Sequence, residues 1–243
     1  MKGNINSTWE EYDQRPREKK QHAFDISSSV FPLEGHEVAR LQAMVNKRAG
    51  YERVKRVFDC LLSIAFLIPG LPLMLGIALW VRVTSPGPII FTQTRIGKQG
   101  RPFQIYKFRT MYEDANVYDL SPSHDDQDKR ITRCGAKLRR TGLDELPQLF
   151  NIFKGDMSLV GPRPEMPFLI EQYKDVLSFR HVVKPGLTGV WQLCPYSSDQ
   201  IYEHPEYDYY YILNQSFVFD CKIIFMTMRR TFYMVMKCLF KVE

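Results

Sequence analysis

The chain lacks the usual marks of a zinc-binding, disulfide-rich or secreted protein. No CxxC pair occurs, and neither cysteine nor histidine shows the spacing of a zinc site. Residues 1–20 are polar and charged, so no cleavable signal peptide is expected, and we find no internal repeat. The five cysteines are predicted to be reduced thiols in a cytosolic setting: Cys60, Cys134, Cys194, Cys221 and Cys238.

The net charge favours an anionic partner. With 33 Lys and Arg residues against 27 Asp and Glu residues, the formal charge of the 243-residue chain is +6. Such a charge attracts nucleic acid, acidic lipid headgroups or phosphorylated small molecules. No nucleic-acid partner is expected, because many of the basic residues cluster around an apolar segment. The length is enough for one good core with a small appendage.

That apolar segment, residues 60–81, is interrupted only by Ser63. A straight helix of this length would span about 33 Å and could cross a bilayer core of about 30 Å, so a single transmembrane helix is one interpretation. Pro69 and Pro72 lie near its centre, with Gly70 between them. Because each proline removes a backbone donor and clashes with the preceding turn, we predict a break of the membrane helix at these prolines.

Basic residues flank this segment on both sides, which argues against a straight crossing. A straight helix would place one basic flank outside, against the positive-inside rule. A re-entrant helix hairpin enters and leaves the same leaflet, so both basic flanks stay on the cytoplasmic side. These flanks are then expected to attract anionic lipid headgroups. The flanks contain Lys47, Arg48, Arg53, Lys55 and Arg56 before the segment, and Arg82, Arg95, Lys98, Arg101, Lys107 and Arg109 after it.

The whole pattern predicts an α+β fold. It combines a re-entrant membrane helix hairpin with a mostly helical cytoplasmic catalytic domain, a small β element at 89–91 and 103–108, and interfacial amphipathic helices. The C-terminal helix is predicted either to lie on the membrane or to pack in the core, and it is a candidate homodimer surface. The predicted segments are a polar tail (1–34), an amphipathic lead-in helix (35–59), the re-entrant helix (60–83), the catalytic domain (84–215) and the C-terminal interfacial helix (216–243).

Two adjacent acids, Asp144 and Glu145, stand among basic residues at the start of an apolar helical pattern. Asp144 is predicted to cap this helix. An acidic pair in basic surroundings indicates chemistry on a phosphate, with a metal ion to reconcile the charges. The alternative is a plain helix start whose two acids complement the helix dipole. The side chains expected to form one buried stripe are Leu146, Leu149, Phe150 and Phe153.

Several ordered motifs resemble those of the bacterial polyprenyl-phosphate sugar-1-phosphate transferases, the monotopic phosphoglycosyl transferase superfamily. The most specific are Asp-Glu-Leu-Pro-Gln-Leu at 144–149 and Lys-Gly-Asp-Met-Ser-Leu-Val-Gly-Pro-Arg-Pro at 154–164. The resemblance covers about residues 55–228, which is most of the chain. Further similar stretches are Lys-Arg-Val-Phe-Asp at 55–59, Phe-Thr-Gln at 91–93, Tyr-Lys-Phe-Arg-Thr-Met at 106–111, Arg-Ile-Thr at 130–132 and Lys-Pro-Gly-Leu-Thr-Gly at 184–189.

The resemblance implies transfer of a sugar-1-phosphate from a UDP-sugar to undecaprenyl phosphate, with release of UMP, at the cytoplasmic face of the bacterial inner membrane. Such a reaction initiates exopolysaccharide, capsule or O-antigen assembly. The resemblance also implies that Asp144 is a covalent nucleophile and a ligand of Mg²⁺, and carboxylates do serve as nucleophiles in phosphoryl transfer. Glu145 is expected to orient the substrate or to complete the metal shell. The stretch 208–228 resembles the extension of hexose-transferring members, which favours galactose or glucose.

Basic side chains near the acids are candidates for binding the substrate phosphates. Arg163 lies between two prolines that hold its backbone rigidly, and its planar guanidinium suits diphosphate oxygens. The alternative for the other candidates is a basic surface attracted to anionic lipid. The candidates are Lys107, Arg109, Arg139, Arg163 and Lys184.

The sequence departs from the family pattern at two places. Family members carry Ser-Pro at the helix break, where this chain has Leu71 and Pro72. They carry Gln-x-x-Gly-Arg after the Pro-Gly-x-Thr-Gly turn, where Pro195 and Tyr196 replace Gly-Arg. Either another basic residue such as Lys184 substitutes for that arginine, or the donor site is altered.

Two other functions remain open at this point. A hydrolase of nucleotide sugars or lipid pyrophosphates at the membrane surface would use the same acids to activate water. An inactive scaffold would recruit a glycan assembly complex without chemistry, although the intact Asp144, Glu145 and Arg163 argue against that role.

Overall fold

The computed structural model describes residues 31–113, 115, 128–194 and 201–240, so most of the predicted tail (1–34) and the Pro195–Tyr196 departure lie outside the described residues. The predicted class is confirmed, because the chain is mostly helical with small two-stranded sheets. The helices in these ranges are α1 (Gly35–Lys47), α2 (Ala49–Thr84), α3 (Arg133–Thr141), α4 (Gln148–Lys154), α5 (Pro167–Gln172), α6 (Lys174–Leu177), α7 (Val190–Leu193), α8 (Glu206–Asn214) and α9 (Phe217–Phe240). The strands are β1 (Ile90–Ile96), β2 (Pro102–Phe108), β3 (Ser158–Val160) and β4 (Gly186–Thr188).

The apolar segment lies in α2, a single helix of 36 residues. By length and composition alone, it is the one helix in the described part of the chain that could cross a membrane. Pro69 and Pro72 lie inside this continuous helix, so it does not show the predicted hairpin, which stays a prediction. The segment predicted as one lead-in helix, 35–59, is divided between α1 and α2. The chain turns at Arg48, whose side chain donates hydrogen bonds to backbone carbonyls of α8.

Both halves of α2 pack against the rest of the protein. In the first half, the buried residues Lys55, Asp59 and Ser63 follow a four-residue spacing and therefore share one helix face. The Asp59 carboxylate accepts a hydrogen bond from the Leu159 backbone N–H at 3.1 Å. In the second half, the buried face is apolar and packs against β2 and α3. That contact is formed by Met74, Ile77 and Val81 together with Phe108, Cys134 and Leu138.

Strands β1 and β2 form an antiparallel hairpin, in register from the Ile90–Phe108 pair to the Ile96–Pro102 pair. The first strand is therefore longer than the predicted 89–91. Asn151 of α4 fixes the hairpin, since its side chain accepts from the Tyr106 N–H at 3.0 Å and donates to the Gln104 carbonyl at 2.6 Å.

Strands β3 and β4 pair in parallel and bring two stiff turns together. The approach is so close that a Cβ atom on Gly186 would lie 2.1 Å from the Gly161 nitrogen, so only glycine fits there. The core that surrounds this sheet contains the fully buried side chains of Met157, Leu177 and Phe179. All five cysteines are free thiols, as predicted.

The C-terminal helix α9 packs in the core at its start, which is one of the two interpretations that its pattern left open; contact with the membrane stays a prediction. Phe219 and Ile223 near its start are buried in the core. Beyond them, large apolar side chains such as Phe225 and Phe232 are exposed. The helix therefore anchors itself in the core at its start and presents an apolar surface further along.

Candidate active site

The acidic pair lies in a short 3₁₀ turn, Leu143–Glu145, between α3 and α4. Gly142 adopts a left-handed conformation (φ 72°) that ends α3, and α4 begins only at Gln148, after Pro147. The prediction that Asp144 caps the following helix is therefore wrong. The 3₁₀ turn begins five residues before α4, at Leu143, and places the acidic pair ahead of the helix terminus.

The predicted buried stripe of α4 is also wrong in part. Leu149 is buried, but Phe150 and Phe153 are 43% and 49% exposed, and Ile152 is buried in their place. The chain changes from the 3₁₀ turn to an α-helix at Gln148, which rotates the following side chains about the helix axis. Leu149 and Ile152, which are three residues apart, therefore face the core.

Glu145 is held by two cations. Its Oε1 atom accepts a hydrogen bond from Lys107 Nζ at 2.7 Å and one from Arg163 Nη2 at 2.9 Å. Burial alone would raise the pKa of Glu145, but Arg163 and Lys107 outweigh burial and hold that pKa well below its usual range. Burial lowers the pKa of Lys107, and Glu145 opposes this effect. Glu145 is therefore ionised and fixes both cations beside Asp144.

Asp144 differs from Glu145 in its hydrogen bonding. Its side chain is 7% exposed, yet it makes no hydrogen bond or ion pair with any residue that the structure describes. Burial raises the pKa of Asp144, and the neighbouring Glu145 raises it further, whereas Lys107, Arg139 and Arg163 lower it. The result is a carboxylate with free lone pairs in a largely buried, cation-rich position, as a nucleophile requires.

The structure brings three of the five predicted phosphate ligands to the acidic pair. Lys107 comes from β2, Arg163 from the loop after β3, and Arg139 from the last turn of α3. The Nε atom of Arg139 donates to Thr110 Oγ1 at 2.8 Å, and the charge of Asp144 opposes the lowering of the Arg139 pKa by burial.

The other two predicted phosphate ligands contact different groups. Arg109 is buried and donates through Nη2 to the carbonyl and hydroxyl oxygens of Ser85, at 2.7 and 2.8 Å. It thereby holds the turn between α2 and β1. Lys184 lines a separate pocket with Arg56 and Asp59, where burial and then Arg56 lower its pKa. The structure therefore groups Lys184 with Arg56 and Asp59 and not with the acidic pair, and its substitution for the missing family arginine stays a prediction.

Arg95 belongs to the same charged cluster, and its role was missed. Its guanidinium lies 3.6 Å from Glu165, and Arg163 and Glu145 also influence its pKa, which burial lowers. In the hairpin register, Arg95 pairs with Phe103 and Lys107 with Phe91, so Arg95 and Lys107 share one face. Had β1 been predicted to its full length, strand alternation would have placed both on that face.

The carboxylates fit one mode of Mg²⁺ binding. In the described ranges, no three His, Cys, Asp or Glu side chains converge as a metal-binding group. Glu145 is engaged by Lys107 and Arg163, whereas Asp144 has no hydrogen-bond or ion-pair partner among the described residues. Mg²⁺ commonly binds through one or two carboxylates together with water and substrate phosphates. The available ligands thus suit a Mg²⁺ ion held by Asp144 together with a bound diphosphate. They do not suit an ion bound by protein side chains alone.

Comparison with known proteins shows the family of the chain. A family model described as "Bacterial sugar transferase" matches residues 50–234. A protein of Bacillus subtilis (strain 168) named "Putative undecaprenyl-phosphate N-acetylgalactosaminyl 1-phosphate transferase" is 45% identical over 142 residues, covering 58% of this chain and 75% of its own length.

Two other relatives are longer proteins. "UDP-N-acetylgalactosamine-undecaprenyl-phosphate N-acetylgalactosaminephosphotransferase" of Aeromonas hydrophila is 40% identical over 185 residues, covering 74% of this chain and 44% of its own length. "UDP-glucose:undecaprenyl-phosphate glucose-1-phosphate transferase" of Escherichia coli (strain K12) is 40% identical over 189 residues, covering 74% of this chain and 40% of its own length. The chain thus spans less than half the length of these two relatives.

Proposed function

Because this chain belongs to the bacterial sugar transferase family, we propose that it transfers a sugar-1-phosphate from a UDP-sugar to undecaprenyl phosphate and releases UMP. The names of the three relatives described above specify this acceptor, and two of these names also specify a UDP-sugar donor. The observation that carries the proposal is Asp144, a buried carboxylate without a partner in the described structure, beside two cations held by Glu145.

In the first step, a carboxylate oxygen of Asp144 attacks the sugar-bearing phosphorus of the donor. The bond from this phosphorus to the oxygen shared with the UMP moiety breaks, and UMP leaves with the bonding electron pair. The sugar phosphate is then joined to Asp144 by an acyl phosphate bond. Arg163 supports this step because its side chain is 37% exposed and its fork can hold diphosphate oxygens while one nitrogen stays on Glu145.

In the second step, a phosphate oxygen of undecaprenyl phosphate attacks the same phosphorus. The bond to Asp144 breaks, which regenerates the carboxylate and gives an undecaprenyl diphosphate sugar. Lys107 and Arg163 offset the negative charge of both phosphates throughout, and Glu145 keeps them in place. Mg²⁺, when bound through Asp144, would neutralise phosphate oxygens and favour departure of the nucleotide.

The proposal includes a re-entrant arrangement of α2 at the cytoplasmic face of the bacterial inner membrane. Its support is that the residues before Pro69 and those after Pro72 both pack against the same domain. Contact of the basic flanks with anionic lipid headgroups and formation of a homodimer through α9 remain predictions.

Membrane topology can be tested with single cysteines at the exposed positions Arg53 and Arg101, in a variant without the native cysteines. A membrane-impermeant thiol reagent should reach both positions only from the cytoplasmic side. Labelling of the two positions from opposite sides would contradict the re-entrant arrangement and support a straight crossing.

The reaction itself is tested by UMP release from purified protein with UDP-glucose, UDP-galactose and UDP-N-acetylgalactosamine, each with and without undecaprenyl phosphate. We expect one burst of UMP per active site without the lipid and continuous release with it. Continuous release without the lipid would indicate a hydrolase. Absence of release from every donor would indicate the scaffold role. The panel also identifies the sugar, on which the relatives differ.

A further inference from the structure

The loop that carries Arg163, residues 161–165, is bound along its backbone by several elements. We call it the Arg163 loop. Both neighbours of Arg163 are prolines, which have no backbone N–H, so the loop depends largely on its carbonyls for hydrogen bonds. Four successive carbonyls are bonded: Pro162 to the Gly186 N–H at 2.8 Å, Arg163 to Arg180 Nη2 at 2.7 Å, Pro164 to Arg95 Nη1 at 3.4 Å, and Glu165 to the Ile96 N–H at 3.0 Å.

The bond on Arg163 itself comes from a buried ion pair. Arg180 lies in the 3₁₀ segment Ser178–Val182 and is 4% exposed. Its Nε atom donates to Asp208 Oδ2 at 2.6 Å, and Asp208 of α8 is fully buried. One guanidinium therefore connects α8 to the residue whose side chain reaches Glu145.

Stability alone does not account for this ion pair. Burying two charges has a desolvation cost, and well-packed apolar residues of similar volume often give equal or greater stability. Apolar residues would, however, provide no N–H group for the Arg163 carbonyl. A lysine could not replace the arginine either, because it lacks a rigid fork that donates in two fixed directions.

We propose that Arg180, oriented by Asp208, is a positioning residue that fixes the backbone of Arg163 and so keeps the Arg163 guanidinium between Glu145 and the donor diphosphate. Arg180 touches neither the substrate nor Asp144 in this role. It acts through Arg163 alone. The inference rests on the proposed function where turnover is measured, and a second measurement makes it independent of turnover.

The first test is a double-mutant cycle on UMP release with Arg180→Gln, Arg163→Ala and the double variant. Arg180→Gln should lower kcat/KM for the donor by about 10- to 100-fold, as a misplaced binding group does. When Arg163 is already alanine, the same change should cost less than about threefold, because the two residues act as one unit. Arg180→Lys should not restore activity.

A matched control is Asp220→Asn, which disrupts another buried ion pair, Lys55–Asp220. Asp220 contacts Tyr51, Lys55 and Tyr211 and no residue of the Arg163 loop. Any effect of this variant on kcat/KM should multiply with that of Arg163→Ala. If the effects of Arg180→Gln and Arg163→Ala also multiplied, or if Arg180→Lys were as active as the native protein, Arg180 would be merely structural.

The second test is amide hydrogen exchange in the peptide that covers the Arg163 loop. Relative to amides elsewhere in the core, Arg180→Gln should make the amides of this peptide exchange at least about tenfold faster, whereas Asp220→Asn, which is expected to lower global stability, should not accelerate this peptide more than the rest of the core. Unchanged exchange in Arg180→Gln would overturn the positioning role even if the native protein released no UMP. A native protein that released no UMP would reject the proposed function, independently of the exchange result.

Discussion

Asp144 and Asp220 are both buried carboxylates near cations, but their surroundings differ in one respect. Both oxygens of Asp220 have partners: Oδ2 accepts from Lys55 at 2.5 Å and from Tyr51 at 2.7 Å, and Oδ1 accepts from Tyr211 at 3.0 Å. Asp144 has no such partner among the described residues, although three cations influence its pKa.

The difference shows how the same residue type serves structure in one region and chemistry in another. The partners of Asp220 come from α2 and α8, so this carboxylate joins three helices and accepts hydrogen bonds through both of its oxygens. Near Asp144, two of the three cations, Lys107 and Arg163, are bound to Glu145 instead. Glu145 thereby holds positive charge close to Asp144 while leaving the Asp144 oxygens free to react.

The largest effect should come from Asp144→Asn. An amide is a poor nucleophile, so we expect UMP release to fall by at least about 1,000-fold, as when other enzymes lose their nucleophile. Thermal stability should be equal or higher, because the amide avoids burial of an unpaired charge. Intact-protein mass spectrometry should show a sugar-phosphate adduct on the native protein only. Normal turnover in Asp144→Asn would show that Asp144 is not the nucleophile.

Asp220→Asn should have the reverse effects. It leaves Lys55 buried without its counter-ion, which should lower the free energy of unfolding by about 3 kcal/mol. Because Asp220 does not touch the site, the turnover number of the folded fraction should change by less than about threefold. Denaturant unfolding in one detergent, with active sites counted from the UMP burst, separates the two quantities. If Asp220→Asn lost most of its turnover but none of its stability, Asp220 would not be a purely structural carboxylate in contrast to Asp144.

Local patterns predicted much of the site. The acidic pair, the proline-flanked Arg163 and the basic residues Lys107 and Arg139 do come together. Each carries a signal in nearby residues: flanking prolines for Arg163, a motif that resembles the family for Lys107, and an unusual grouping of charges for Arg139 and the acidic pair. The C-terminal helix was predictable for the same reason, because its periodicity extends over many turns.

Long-range partners could not be predicted in this way. Arg109 resembles a phosphate ligand in sequence, but its partner Ser85 is determined by how α2 meets β1. Arg180 and Asp208 lie 28 residues apart, and neither carries a local signal of an ion pair. The phase of α4 also escaped prediction, because it depends on the 3₁₀ turn that follows Gly142. Partner choice depends on the tertiary fold, which one-dimensional patterns do not contain.

The smallest effect, and the finest test of the comparison, is the pH dependence of turnover. Burial and then Glu145 raise the pKa of Asp144, so the carboxylate becomes protonated, and donor attack fails, at a higher pH than for an exposed aspartate. The raised pKa also means that Asp144 adds stability below the ordinary aspartate pKa, and this contribution is lost as pH rises through the raised value.

Two effects raise the pKa of Asp144, burial and the charge of Glu145, and Glu145→Gln removes the second. The substitution also frees Lys107 and Arg163 to interact with Asp144, which lowers its pKa further. The acid limb of kcat/KM for the donor should therefore move to lower pH, even where the maximal rate falls. Asp156→Asn, which alters a partly exposed pair with Lys154, should leave that limb in place. A limb that stayed fixed in Glu145→Gln, or moved to higher pH, would mean that Glu145 does not control the ionisation of Asp144.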